Sequence, residues 1–155
     1  MFTFRLETLL TLRRRQRDEI RRQSAEPLRA ALAEQQRLAS ELARIGDSLA
    51  HAAREAEATV RPGELDIDRL LAGQRYQLTL RMERGRLDQL HRQVGLQVEG
   101  FRQRIQAAEQ AVRVLEKLRE RQAAEYRATE EARETRQLDE VAVLRAARTQ
   151  RENES

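Results

Sequence analysis

From Leu28 onward the apolar residues advance in strides of three and four. The series Leu28, Ala31, Gln35, Leu38, Leu42, Ile45, Leu49, Ala52, Ala56 alternates the two strides without a slip. A second series, Leu87, Leu90, Val94, Val98, Phe101, Ile105, Ala108, Val112, Leu115, does the same apart from one extra step of four between Val94 and Val98. An α-helix turns once in about 3.6 residues, so this spacing gives each segment one narrow apolar stripe with polar residues around it, the a/d seam of a coiled coil. A single irregular step relaxes a supercoil locally without breaking it.

The strong punctuation between the two series is Arg61-Pro62-Gly63, followed by Asp66 and Asp68 as candidate N-caps. Proline removes a backbone donor and glycine accepts turn conformations, so the chain reverses there. The pattern predicts helix 1 over about residues 3 to 60, a turn over about 61 to 66 and helix 2 over about 67 to 149. Pro27, with Ser24 before it, marks either a kink in helix 1 or a first helical turn after a short break. A turn of about six residues makes its helices antiparallel neighbours. Pairing outward from it sets Leu38 near Leu90, Leu28 near Val98, and Leu9 and Leu10 near Leu118. The fold class expected is all-α, a long two-helix antiparallel coiled coil, in a single hairpin over residues 1–155. Helix 1 runs out while helix 2 has about 25 residues left, or roughly 35 to 40 Å, which leaves a single helix projecting from one end. Isolated helices are marginal in water, so this segment either frays or is held by another protein.

Composition alone fits either long helices or disorder, and the period decides between them. Charged residues are 36% of the 155 and aromatics 3%, with no Trp or Cys and two Pro, which is enough for a seam and too little for a three-dimensional core. The Ala, Glu, Leu and Arg bias is that of long helices, and the sustained period outweighs disorder. Without Cys there is no disulfide, thiolate nucleophile or Cys-ligated metal. Acidic and basic residues are interspersed, and a net charge of +4 is small for a nucleic-acid binder. No signal peptide and no membrane span is read, so the expected place is the cytoplasm.

Candidate chemistry is sparse. Arg13, Arg14, Arg15 and Arg17, with Arg21 and Arg22, form the sharpest local charge. They are a solvated helix face, a set of charge partners for an acidic protein, or a basic region for nucleic acid; Asp18 and Glu19 interrupt the patch and speak against the last. A consistent seam puts Arg13 and Gln16 or Arg17 where apolar residues belong, so these heads snorkel outward or meet acidic groups. Gly46, Gly73, Gly85, Gly95 and Gly100 lie inside the helical pattern and serve either close helix packing or a compliant tip. His51 and His91 have no partner at metal-ligand spacing. Tyr76 and Tyr126 flank the seam or mark a contact patch. The glutamates occur as surface pairs with no pocket to shift them, and neither a phosphate-binding loop nor a nucleophile elbow is present. No cofactor is implied, and an enzyme is not expected.

Three segments resemble the FliJ family of the bacterial flagellar type III export apparatus. They are Phe4-Arg5-Leu6-Glu7-Thr8-Leu9-Leu10-Thr11-Leu12-Arg13 near the start, Val114-Leu115-Glu116-Lys117-Leu118-Arg119-Glu120-Arg121 late in helix 2, and Leu138-Asp139-Glu140-Val141-Ala142 near the end. The resemblance implies a fold like the coiled-coil stalk of the rotary ATPase gamma subunit. It further implies a seat in the pore of the hexameric export ATPase FliI, promotion of ring assembly, contact with the export gate protein FlhA, and escort of export chaperones. Association with the inner membrane would then run through partners only, at its cytoplasmic face. Expected contacts with the ATPase are Arg13, Arg14, Arg15, Arg17, Leu138, Asp139, Glu140, Arg145 and Arg148; Tyr76 and Leu80 are expected at the gate. The alternatives are the related injectisome stalk proteins and a coiled-coil scaffold without the export role.

Overall fold

A computed structural model describes residues 1–60, 63 and 66–153. It contains α1 (Glu7–Thr59, 53 residues) and α2 (Ile67–Asn153, 87 residues), packed as an antiparallel coiled-coil hairpin, with no strand among the described residues. The fold is all-α, as the stride pattern requires.

Local chemistry sets the helix ends. Before α1 the chain makes a turn in which the Glu7 amide donates to the Phe4 carbonyl at 3.1 Å, and Phe4 folds into the core at 8% exposure, so the helix starts at Glu7 rather than near residue 3. At the start of α2, Asp66 is the N-cap: its Oδ1 accepts the Arg69 amide at 3.1 Å, and its carbonyl accepts the Leu70 amide at 3.1 Å. A capping carboxylate satisfies an amide that has no partner within the helix and sits at the positive end of the dipole. Arg61 and Pro62, on which the predicted turn rests, lie outside the described residues. Gly63 has φ +103°, a backbone conformation in which a Cβ is strained. Pro27 lies inside α1, which runs through it without a break. Its missing N–H leaves the Gln23 carbonyl without the usual donor, and the exposed position of Pro27 leaves room for water to take that place.

The chain divides into two compact units, one of Met1–Asp18 with Ala107–Ser155 and one of Glu19–Gln106. In the first, Phe4, Leu10 and Val112 form a buried cluster with Phe2, Leu115 and Leu118 against it. The Phe2 and Tyr126 rings stand 5.8 Å apart, and the Met1 ammonium donates to the Tyr126 hydroxyl at 3.0 Å. These contacts, with Leu10 and Leu118 in one cluster, agree with the predicted register to within a helical turn.

In the second unit every member of the α1 series from Leu28 to Ala56 is buried or half-buried, with Ala31, Leu38 and Ala52 the most enclosed. On α2 the match is less complete. Leu90 is 39% exposed, whereas His91 is half-buried. With His91 on the seam the steps Leu87, His91, Val94, Val98, Phe101 alternate four and three, and the irregular step disappears. An imidazole has an apolar edge and tolerates the position, while Leu90 stands beside the stripe. Across the seam, Gln77 Nε2 donates to the Ala52 carbonyl at 3.3 Å.

The interior glycines are not demanded by close packing. A Cβ added at Gly46, Gly73, Gly85 or Gly100 would meet nothing within 4 Å, and at Gly95 it would touch only Gln35 Nε2 at an ordinary 3.5 Å. Glycine costs a helix interior roughly 0.8 to 1 kcal/mol relative to alanine. Each of Gly46→Ala, Gly73→Ala, Gly85→Ala and Gly100→Ala is therefore expected to stabilise the chain by about that amount, read as a rise in the denaturant midpoint. A fall at these positions would show that close packing required the glycine.

Candidate partner-binding surfaces

The basic cluster is built on the first turns of α1. Packing of Leu10 (0% exposed) in place of Leu9 (37% exposed) sets its frame. The seam then passes through Arg14 and Arg17, both half-buried, while Arg13, Arg15 and Gln16 are exposed. This differs by one position from the frame that put Arg13 on the seam.

Arg14 meets an acidic partner: its Nε and Nη2 donate to Glu116 Oε1 at 3.1 and 2.7 Å. Glu7 Oε2 lies 3.4 Å from Arg119 Nε, a second cross-helix ion pair nearby. Arg17 donates to its neighbour Asp18 at 2.9 Å, and Arg13 to Gln16 Oε1 at 3.1 Å. The cluster therefore has two sides. Arg14 bridges the two helices to Glu116, and Arg13 and Arg15 are exposed. With 39% and 36% of the two side chains exposed, solvent screens the Arg14–Glu116 pair, and it is worth about 1 kcal/mol or less. Glu116→Gln is expected to lower Tm by no more than about 4 °C, less at high salt. A loss several times larger would make the pair the main fastener of this end.

Beyond Glu130, every side chain from 131 to 151 is exposed. Leu138 and Leu144 are 70% exposed, Val143 67% and Val141 45%, which is unusual for large aliphatic residues gathered in one helical stretch. Val141, Leu144, Arg145 and Arg148 line a shallow groove along this helix, and Asp139 and Glu140 are exposed beside it. The structure thus places Leu138, Asp139, Glu140, Arg145 and Arg148 together on one unpaired helix, and Arg13, Arg14, Arg15 and Arg17 on α1 of the same unit.

The two residues expected at the gate are in the other unit and differ from each other. Tyr76 is 53% exposed and edges a groove with Ala52, Glu55, Ala56, Thr59, Arg69 and Leu70. Leu80 is 9% exposed and belongs to the seam. Val60, Ile67 and Leu71, at 58%, 61% and 45% exposure, add apolar surface in the same unit.

The ionisable groups whose protonation is shifted lie on the surface. Glu19 is held below the ordinary carboxylate range by hydrogen bonds from Arg22 and Gln23, and Glu34 by the one from Arg37. Arg22 and Arg37 are raised correspondingly by those carboxylates. Each is a surface pair about one helical turn apart, a pattern that supports the helix. His51 Nε2 lies 3.4 Å from Glu55 on the surface. No helix of the described residues is long and apolar enough to cross a membrane.

Against known proteins, the model of the flagellar FliJ protein family matches residues 1–151. The chain belongs to the FliJ family. No curated protein and no solved structure matches it. FliJ membership gives the chain a role in flagellar type III protein export, in association with the export apparatus, and the family is a non-catalytic component of that system. The matched span includes the three segments that carry the resemblance, among them the exposed stretch with Leu138 and Val141.

Proposed function

We propose that this chain is a non-enzymatic stalk of the flagellar export ATPase. It seats the end formed by its N terminus and the C-terminal part of α2 in the pore of the FliI hexamer, promotes ring assembly, and reaches FlhA and export chaperones through the Glu19–Gln106 unit. The observation that carries this reading is the helix 131–150, long, exposed throughout and bearing Leu138, Val141 and Leu144 without apolar cover. Ordering such a segment costs entropy only when a partner holds it, and burial of its apolar residues there offsets that cost, which suits the interior of a protein ring. Arg13 and Arg15, exposed on the same unit, add attraction to acidic pore loops without a preformed pocket. Energy released by the ATPase would bias the stalk, and the Glu19–Gln106 unit would pass that bias to the gate. The chain would work at the cytoplasmic face of the inner membrane, held there by its partners.

Tyr76 supports the gate end. A half-exposed aromatic beside a groove and an apolar rim has the make-up of an interface anchor. Tyr76→Ala is expected to weaken binding to purified FlhA at least about tenfold while leaving stimulation of FliI unchanged. Leu80→Ala is the poorer probe, because a seam residue changes stability as well as surface. Full-strength FlhA binding by Tyr76→Ala would remove the tip from the account.

A further inference from the structure

The exposed helix beyond Glu130 carries a symmetry in its sequence. Counting from Val141, Leu138 stands three residues before and Leu144 three residues after, while Glu134 stands seven before and Arg148 seven after. Seven residues are close to two helical turns, so Glu134, Val141 and Arg148 lie in one line along the helix, with Leu138 on one side of that line and Leu144 on the other. All five side chains are exposed.

Reversing one copy of this stretch against another about Val141 therefore brings like to like at the centre and opposite to opposite at the ends. Val141 meets Val141, Leu138 meets Leu144, and Glu134 meets Arg148, the last two contacts occurring twice by the two-fold axis. A parallel pairing would instead set Glu134 against Glu134 and Arg148 against Arg148, which charge repulsion disfavours. The antiparallel overlap spans about 20 residues, or roughly 30 Å, and stops short of Tyr126, where the N terminus packs, so both hairpins keep their own contacts.

We infer that this segment is a self-association surface, and that its occupant in the free protein is the same segment of a second copy of this chain, antiparallel and centred on Val141. The inference stands on the charge and apolar pattern and does not depend on the ATPase reading. Only three apolar pairs are buried per dimer, so the association is weak.

The chain has no cysteine, which makes the geometry directly testable in the full-length protein. A disulfide needs Cα atoms within roughly 7 Å, so under mild oxidation Val141→Cys should link to itself. Glu134→Cys and Arg148→Cys should each form no disulfide alone and should link to one another when mixed. In sedimentation equilibrium, Glu134→Arg and Arg148→Glu should each weaken dimerisation by about three- to tenfold, and the double variant should regain the parent affinity. Self-linking of Glu134→Cys, absence of a Val141→Cys dimer, or a double variant as weak as the single ones would each overturn the inference.

Discussion

Leu38→Asp is expected to lower the melting temperature of the chain by about 10 °C or more, whereas Leu90→Asp should change it by no more than a few degrees. Leu38 is 1% exposed in the seam of the Glu19–Gln106 unit. Aspartate there forfeits the burial of a leucine, worth roughly 1.5 to 3 kcal/mol, and adds the cost of desolvating a carboxylate that has no partner. Leu90 is 39% exposed, and a carboxylate at that position keeps its water. Glu41→Gln makes a third arm: it removes a surface ion pair to Arg37, and such pairs contribute about 0 to 1 kcal/mol. Circular dichroism followed through thermal unfolding separates the three. Equal losses at Leu38 and Leu90 would mean that α2 presents Leu90, not His91, to its partner.

That contrast shows how far the pattern of residues determines the fold. Where apolar residues are sparse, as from Leu28 to Ala56, the stride leaves a single choice of face, and the structure adopts it at every position of the series. The cap was legible as one of two aspartates, Asp66 or Asp68, because an aspartate just before a periodic run has a defined task at a helix start, and Asp66 takes it. The frame was ambiguous where apolar residues crowd together. Leu6, Leu9, Leu10 and Leu12 offer several faces, and the choice of Leu10 depends on Phe4 folding back onto Val112 from outside the helix, a tertiary contact with no periodic signature. His91 was passed over for the opposite reason, since a polar letter hides an aromatic ring able to sit in a seam.

The candidate surfaces were legible only in part. The unpaired helix followed from unequal helix lengths, and its exposure is a direct consequence. Within the basic cluster, the division between Arg14, which is spent on Glu116, and Arg13 and Arg15, which are turned outward, needed the frame set by Leu10. Likewise Tyr76 and Leu80, four residues apart, look equivalent in sequence, yet one is half-exposed and the other is sealed in the seam.

The central claim is that the exposed end of α2 and the outward arginines engage the export ATPase. Removing residues Gln137 to Ser155 takes away no buried side chain among the described residues, so the hairpin should keep its cross-helix contacts and its melting temperature. Arg13→Glu with Arg15→Glu reverses charge on two exposed positions and spares the Arg14–Glu116 pair. Both variants are expected to fold as the parent does and to lose stimulation of the partner ATPase, because each removes the burial or the steering on which seating in the ring depends. The most direct measurement is the steady-state ATP hydrolysis of purified FliI titrated with the full chain and with the chain ended at Arg136. The account predicts stimulation by the full chain and a rate equal to that of FliI alone with the shortened one; full stimulation by the shortened, folded chain would contradict it.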